Sequence, residues 1–259
     1  MSSWASRRKT AYALIVILAV LLLIGLPLFI IFYKAPTCFD KVMNGNETGV
    51  DCGGSCVRLC QNSFIPPRIV WGGAKFEKLA NGLYNIASLI ENKNINGAAV
   101  DVPYKMSLYD SSGISIVDRV GKVNIYPHRN SLAFESAVDV GKRIPAKVSF
   151  EFTKEPNWFK SQDSLDGISI VDKKYVEDDS GSSLEVVLEN TTLFPYKNIM
   201  VSVVLYDKEN NVIGFSRTSI DSIASKNQRE IASFTWPINR KGAVTSIEIV
   251  PTAVPTVER

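Results

Sequence analysis

Between Ala11 and Tyr33 the chain carries 23 consecutive residues without a charge, directly behind Arg7-Arg8-Lys9 and ahead of every cysteine. At about 1.5 Å of rise per residue, such a run forms a helix of roughly 35 Å, enough to cross a hydrocarbon core of about 30 Å. It is apolar on all sides, so it suits lipid rather than one face of a water-soluble core. Tyr12 and Tyr33 bracket it where interfacial aromatics sit. Pro27 is expected to bend its outer part, which bilayers tolerate.

A cleaved signal peptide has an apolar core of only about 7–15 residues, so the run reads as an uncleaved signal anchor in contact with the bilayer. Residues 1–10 hold three basic and no acidic side chains, whereas Lys34, Lys41 and Arg58 are spread thinly over 34–60. The denser cluster is expected to stay in the cytoplasm, leaving residues 34–259 outside the cell membrane. This predicts a cytoplasmic tail (1–10), a transmembrane helix (11–33), a cysteine-rich module (34–61) and a larger ectodomain.

The formal net charge of +3 belongs to the membrane flank, because residues 61–259 balance 23 basic against 23 acidic side chains. A neutral ectodomain offers no field for collecting nucleic acid. Neither G-x-x-x-x-G-K-[ST] nor G-x-G-x-x-G occurs, so nucleotide binding has no support.

All four cysteines, Cys38, Cys52, Cys56 and Cys60, fall in one stretch with spacing C-x13-C-x3-C-x3-C. A segment this short and rich in glycine cannot bury a useful core, so a cross-link or metal must hold it. Two disulfides fit an oxidising compartment, with three pairings open. A zinc site made of all four cysteines is the competitor, although C-x3-C steps are less typical of zinc than C-x2-C. Asp40, Asn44, Asn46, Glu47 and Asp51 form an oxygen-rich set that could ligate calcium. The same side chains also hold turns by bonding to nearby backbone. With Asp40, Asn44-Gly45, Glu47-Thr48 and Asp51-Cys52-Gly53-Gly54 in place, the stretch resembles a short cysteine motif of extracellular proteins. The resemblance implies a disulfide-stapled module.

Beyond residue 62 the chain holds two diverged copies of one unit. The first runs from Leu83 to Asn92 and then to Leu108-Tyr109-Asp110; the second runs from Leu184 to Asn190 and then to Leu205-Tyr206-Asp207. Apolar runs precede them (Ile69–Trp71; Ile168–Val171), and strand-like stretches close them (Ala146–Phe152; Val244–Val250). Short β-branched and aromatic runs separated by turn residues predict hairpins, and six or seven strands per copy predict two tandem β-sandwiches, at 62–158 and 159–259. The hexapeptide Gly-Ile-Ser-Ile-Val-Asp at 113–118 and 167–172 is out of register with this repeat.

The recurring Leu-Tyr-Asp resembles the FxLYD-type, immunoglobulin-like domains of bacterial surface and membrane-anchored proteins, with Met106 and Val203 where the leading Phe would stand. The order of anchor, cysteine module and two such domains is similar to uncharacterised membrane proteins of small-genome bacteria. The resemblance implies an all-β ectodomain and speaks to location, not activity.

Residues for chemistry are sparse. The one histidine, His128, reads as a turn residue, too little for a triad or a zinc hydrolase. Asp163, Asp166, Asp178 and Asp179 could serve as paired carboxylates or a bridging calcium site, but lie in turn-rich stretches. Trp71, Trp158 and Trp236 are the candidate ligand contacts, with Trp158 expected at the interdomain junction and the other two in cores. Asn46 and Asn190 head glycosylation sequons. The expected function is therefore non-enzymatic: a membrane-anchored protein whose sandwiches bind or scaffold a protein partner at the cell envelope. A structural subunit or spacer of an envelope, secretion or pilus assembly is the alternative, and an extracytoplasmic hydrolase comes third.

Overall fold

A computed structural model of the chain describes residues 4–33, 35–161, 165, 167–179, 181–237 and 242–253. Two compact units emerge, Met1–Ser55 and Cys56–Arg259. In the first unit, helix α1 spans Trp4–Phe32 and continues through Pro27. The helix therefore begins before the uncharged run and takes in the basic cluster, with the Arg8 guanidinium lying 4.0 Å from the Trp4 ring centre. Phe29 and Tyr33 stack at its end, ring centres 4.9 Å apart.

The second unit is built from antiparallel strands. In chain order they are β1 (Arg68–Ile69), β2 (Lys75–Ala80), β3 (Leu83–Glu91), β4 (Gly97–Tyr109), β5 (Ser115–Ile125), β6 (Asn130–Asp139) and β7 (Lys147–Phe152). They continue with β8 (Phe159–Lys160), β9 (Ile168–Asp178), β10 (Gly181–Asn190), β11 (Tyr196–Tyr206), β12 (Val212–Ile223), β13 (Gln228–Trp236) and β14 (Ser246–Thr252).

The strands form two sandwiches of one topology. In the first, β3 is flanked by β6 on one edge and by β2 and then β1 on the other, and this sheet faces β5-β4-β7. In the second, β9-β10-β13 faces β12-β11-β14. The pairing corrects one detail of the sequence reading. The counterpart of β9 is β2, whereas Ile69–Trp71 supplies only the short extra strand β1 and the turn after it. Strand β8 pairs with the start of β4, so the first sandwich's hydrogen bonding continues past Trp158. The two Gly-Ile-Ser-Ile-Val-Asp segments fall on non-equivalent strands, β5 and β9.

Alternation explains the cores. Along β13, Ala232, Phe234 and Trp236 are buried while Ile231, Ser233 and Thr235 face solvent, the period of two that a half-buried strand requires. Leu184, Val186 and Leu188 of β10 meet Ile199, Val201, Val203 and Leu205 of β11 in the second core. Ile86 and Ile90 of β3 meet Tyr104, Met106 and Leu108 of β4 in the first. Each such fully buried side chain contributes about 1.5–3 kcal/mol. Trp158 belongs to this first core, stacked on Phe64 at 5.2 Å, rather than to the junction where the sequence placed it.

Packing also fixes one glycine. Gly121 of β5 lies opposite Tyr104 of β4, and a Cβ there would collide with the Tyr104 hydroxyl and the Glu135 carboxylate that accepts its proton at 2.7 Å.

Strands β3 and β11 break the alternation, since both of their faces are buried. The outer face of the β3 sheet packs on the outer face of the β11 sheet. Ala87, Leu89, Leu132 and Phe134 from one side enclose Val204 and Phe215 from the other, with Trp71 alongside.

Candidate functional site: the junction and the open sheet edges

Helix α1 is long and apolar enough to cross a membrane, over Arg7–Ile30. It fits a single-pass anchor for a β-rich ectodomain.

All four cysteines are disulfide-bonded, giving the small module its two cross-links. The oxygen-rich side chains serve its turns. Both Asp51 carboxylate oxygens accept the Lys41 N–H at 3.0 Å. Asp40 accepts the Val42 N–H and the Asn44 side-chain amide, each at 2.9 Å, and Glu47 accepts the Asn44 N–H at 3.2 Å. Asn46 is exposed beside them, and its carbonyl sits so close to Gly54 (φ +54°) that no Cβ fits there. This is turn-forming work for acidic and amide side chains, done with the groups that sequence offered as calcium ligands.

The Leu-Tyr-Asp repeats occupy equivalent places, ending β4 and β11. Leu108 and Leu205 are fully buried. The Asp110 Oδ1 accepts the N–H groups of Ser112 and Ile114, and Asp207 Oδ1 does the same for Glu209 and Asn211. The Ile114 N–H and then the Arg143 guanidinium hold the Asp110 carboxyl below its ordinary range. For Asp207, the Asn211 side chain and backbone do so.

The junction gathers polar and aromatic groups from both sandwiches. Trp71 stacks on Phe215 at 6.1 Å, and Phe134 meets the same ring edge-on at 6.2 Å. Arg217 spans the sandwiches, donating to the Phe134 carbonyl at 3.2 Å with its guanidinium over the Phe134 ring. Glu248 of β14 accepts from Tyr206 and, across the junction, from Asn130, both at 2.7 Å. Burial, reinforced by Glu248, pushes the Tyr206 hydroxyl well above the usual phenol range. A cleft of about 580 Å³ opens here, lined by Trp71, Lys75, Tyr206, Asn211 and Glu248. Sequence reading singled out Trp71 but missed Glu248, Arg217 and Phe215. The available signal was the continuous apolar runs of β3 and β11, which mark strands covered on both faces.

The remaining sheet edges differ in exposure. Among the described residues, strand β9 pairs only with β10, and six successive residues, Ser169–Lys174, face solvent. Beside it runs a groove of about 440 Å³ in which Ile170 and Val171 face Ile247 and Ile249 of β14, with Asp172 and Lys173 adding charge to its lining.

The other sequence candidates are dispersed. His128 is an exposed turn residue with φ +48°, its N–H donating to the Asn94 carbonyl. Asp178 accepts the Gly181 N–H in the β9–β10 turn, with Asp179 exposed beside it, and Asp163 and Asp166 lie outside the described residues. Trp236 is a core residue, donating to the Phe215 carbonyl at 3.3 Å. Asn190 is fully buried, so its sequon is closed in the folded chain.

No family model and no curated protein matches this chain. Among solved structures, a β-glucuronidase from glycoside hydrolase family 2 aligns at 8% identity over 86% of this chain and 29% of its own length, with a TM-score of 0.26. A putative β-galactosidase from Bacteroides fragilis aligns at 9% identity over 70% of this chain and 34% of its own, with a TM-score of 0.22. The chain spans about a third of the length of these structures, and likeness at that level carries no inference about activity.

Proposed function

We propose that the chain is a single-pass membrane protein, N-terminus in the cytoplasm, whose extracytoplasmic sandwiches bind or scaffold a protein partner at the cell envelope without catalysis of their own. The paired domains are read as FxLYD-like, immunoglobulin-type modules. The supporting observation is the β9 edge, unpaired among the described strands, with the groove of mixed apolar and charged lining beside it. An exposed edge presents a row of backbone donors and acceptors, which is how a sheet takes up an extended segment of another protein.

A photo-crosslinking residue at Ile170, introduced into the full chain in its native membrane, tests the reading, with exposed Ile231 of β13 as the comparison site. One discrete adduct specific to position 170 is the expected result. A set of co-purifying envelope subunits captured equally from both sites would favour a structural spacer instead. Turnover of a glycan or peptide by the purified chain would overturn both readings.

A further inference from the structure

The loop joining β10 to β11 presents two large apolar side chains to water, Leu193 and Phe194, at 72% and 77% exposure. The turn beneath them is fixed. Buried Asn190 donates from its side-chain amide to the Phe194 carbonyl at 2.8 Å and accepts from the Thr192 N–H at 2.9 Å. Thr191 and Lys226 clamp the loop from either side, through the Gly167 and Thr192 carbonyls. The dipeptide is therefore held outward by a built scaffold.

The equivalent loop of the first sandwich repeats the pattern, with Asn92 beneath and Ile95 81% exposed at its tip. Both loops have lysines beside them: Lys93 in one case, Lys197 and Lys226 in the other, all exposed. The chain arriving from the N-terminal side docks on the first loop, where Ile65 and Asn94 exchange hydrogen bonds of 3.0 and 2.8 Å. From that loop, where Ser161 donates to the Asn96 carbonyl, six residues lead to Gly167, which holds the second loop. The chain thus meets the sandwiches at the first tip, and the second tip is tied to it through a Ser161–Gly167 span of at most about 20 Å.

We propose that this corner is a lipid-contacting surface. Leu193, Phe194 and Ile95 enter the interfacial layer of the bilayer while Lys93, Lys197 and Lys226 meet the phosphate headgroups. Apolar side chains ringed by lysines suit that layer, since the rings and aliphatic groups leave water and the ammonium groups keep to the surface. The inference rests on the membrane-anchor reading of α1, and it commits to a lipid surface rather than to a protein partner.

The native cysteines are disulfide-bonded, so a single added thiol can be labelled selectively. Phe194→Cys, carrying the fluorophore NBD, is reconstituted as the full chain into vesicles of phosphatidylethanolamine and phosphatidylglycerol. Expected are brighter, blue-shifted emission and strong quenching by lipids bearing a shallow doxyl group. Ile231→Cys, exposed on β13, should emit as in water, and Leu193→Cys gives a second readout should Phe194→Cys fail to fold. Water-like, unquenched emission at 193 and 194 overturns the proposal, as does equal quenching at 231. Failure of the chain to co-float with the vesicles would overturn the anchor reading itself, a result distinct from an unquenched label on a chain that floats.

Discussion

Asn92, the residue directly after β3, and Asn190, the last residue of β10, play the same part in the two sandwiches, and each pins three segments together with one buried side chain. Asn92 donates to the carbonyls of Gly97 and Tyr126, both at 2.7 Å, and accepts the Asn94 N–H. Asn190 donates to those of Phe194, Ile223 and Ala224 and accepts the Thr192 N–H. In each case the bonds tie a strand end to the following loop and to the end of the hairpin strand beyond it.

Replacing either by alanine leaves buried carbonyls without donors, which costs about 1–3 kcal/mol. Urea unfolding of Asn92→Ala and Asn190→Ala should show similar losses. A neutral result at one site would break the equivalence.

The junction is a third core, shared by the two sandwiches, so its loss should be felt in both. Phe215→Ala removes the ring that Trp71 and Phe134 pack against, at a cost of about 3–5 kcal/mol. Calorimetry should show one transition for the parent chain and two for the variant. Limited proteolysis should spare the parent around 155–165 and cut the variant there. Two transitions in the parent would show that the sandwiches unfold independently.

Asp110 and Asp207 both have carboxyls lowered below their ordinary value by the N–H groups and side chains they hold. A lowered folded pKa contributes stability that is fully present above the unfolded value, about 3.9, and is lost as pH falls through the folded one. Stability should therefore decline in acid below about pH 4. Asp110→Asn with Asp207→Asn should be weaker at neutral pH and show a shallower acid decline, measured by denaturant midpoint against pH.

The four cysteines should resist a membrane-impermeant maleimide on intact cells until a reductant is added, and then label from outside. Labelling before reduction would contradict the disulfides; none after it would contradict the outward topology.

Several elements were readable because they depend on local pattern. Leu108 and Leu205, with Asp110 and Asp207, announced two copies of one hairpin, since a turn-capping aspartate acts on residues two and four places ahead. The cysteine spacing announced a cross-linked module for the same reason. The three tryptophans were harder. Trp71 and Trp158 exchanged their expected places, because a residue's distance along the chain from a domain boundary says nothing about which sheet face it meets.

The sequence by itself determined the apolar helix at the N-terminus, the confinement of cross-links to 38–60 and the doubled β unit, each set by composition or short-range periodicity. Only the tertiary structure decided that β3 and β11 meet face to face, that Glu248 gathers Tyr206 and Asn130, and that β9 is left open. Those depend on which sheet faces are complementary. Side chains far apart in the chain create that complementarity together, and no local segment carries it alone.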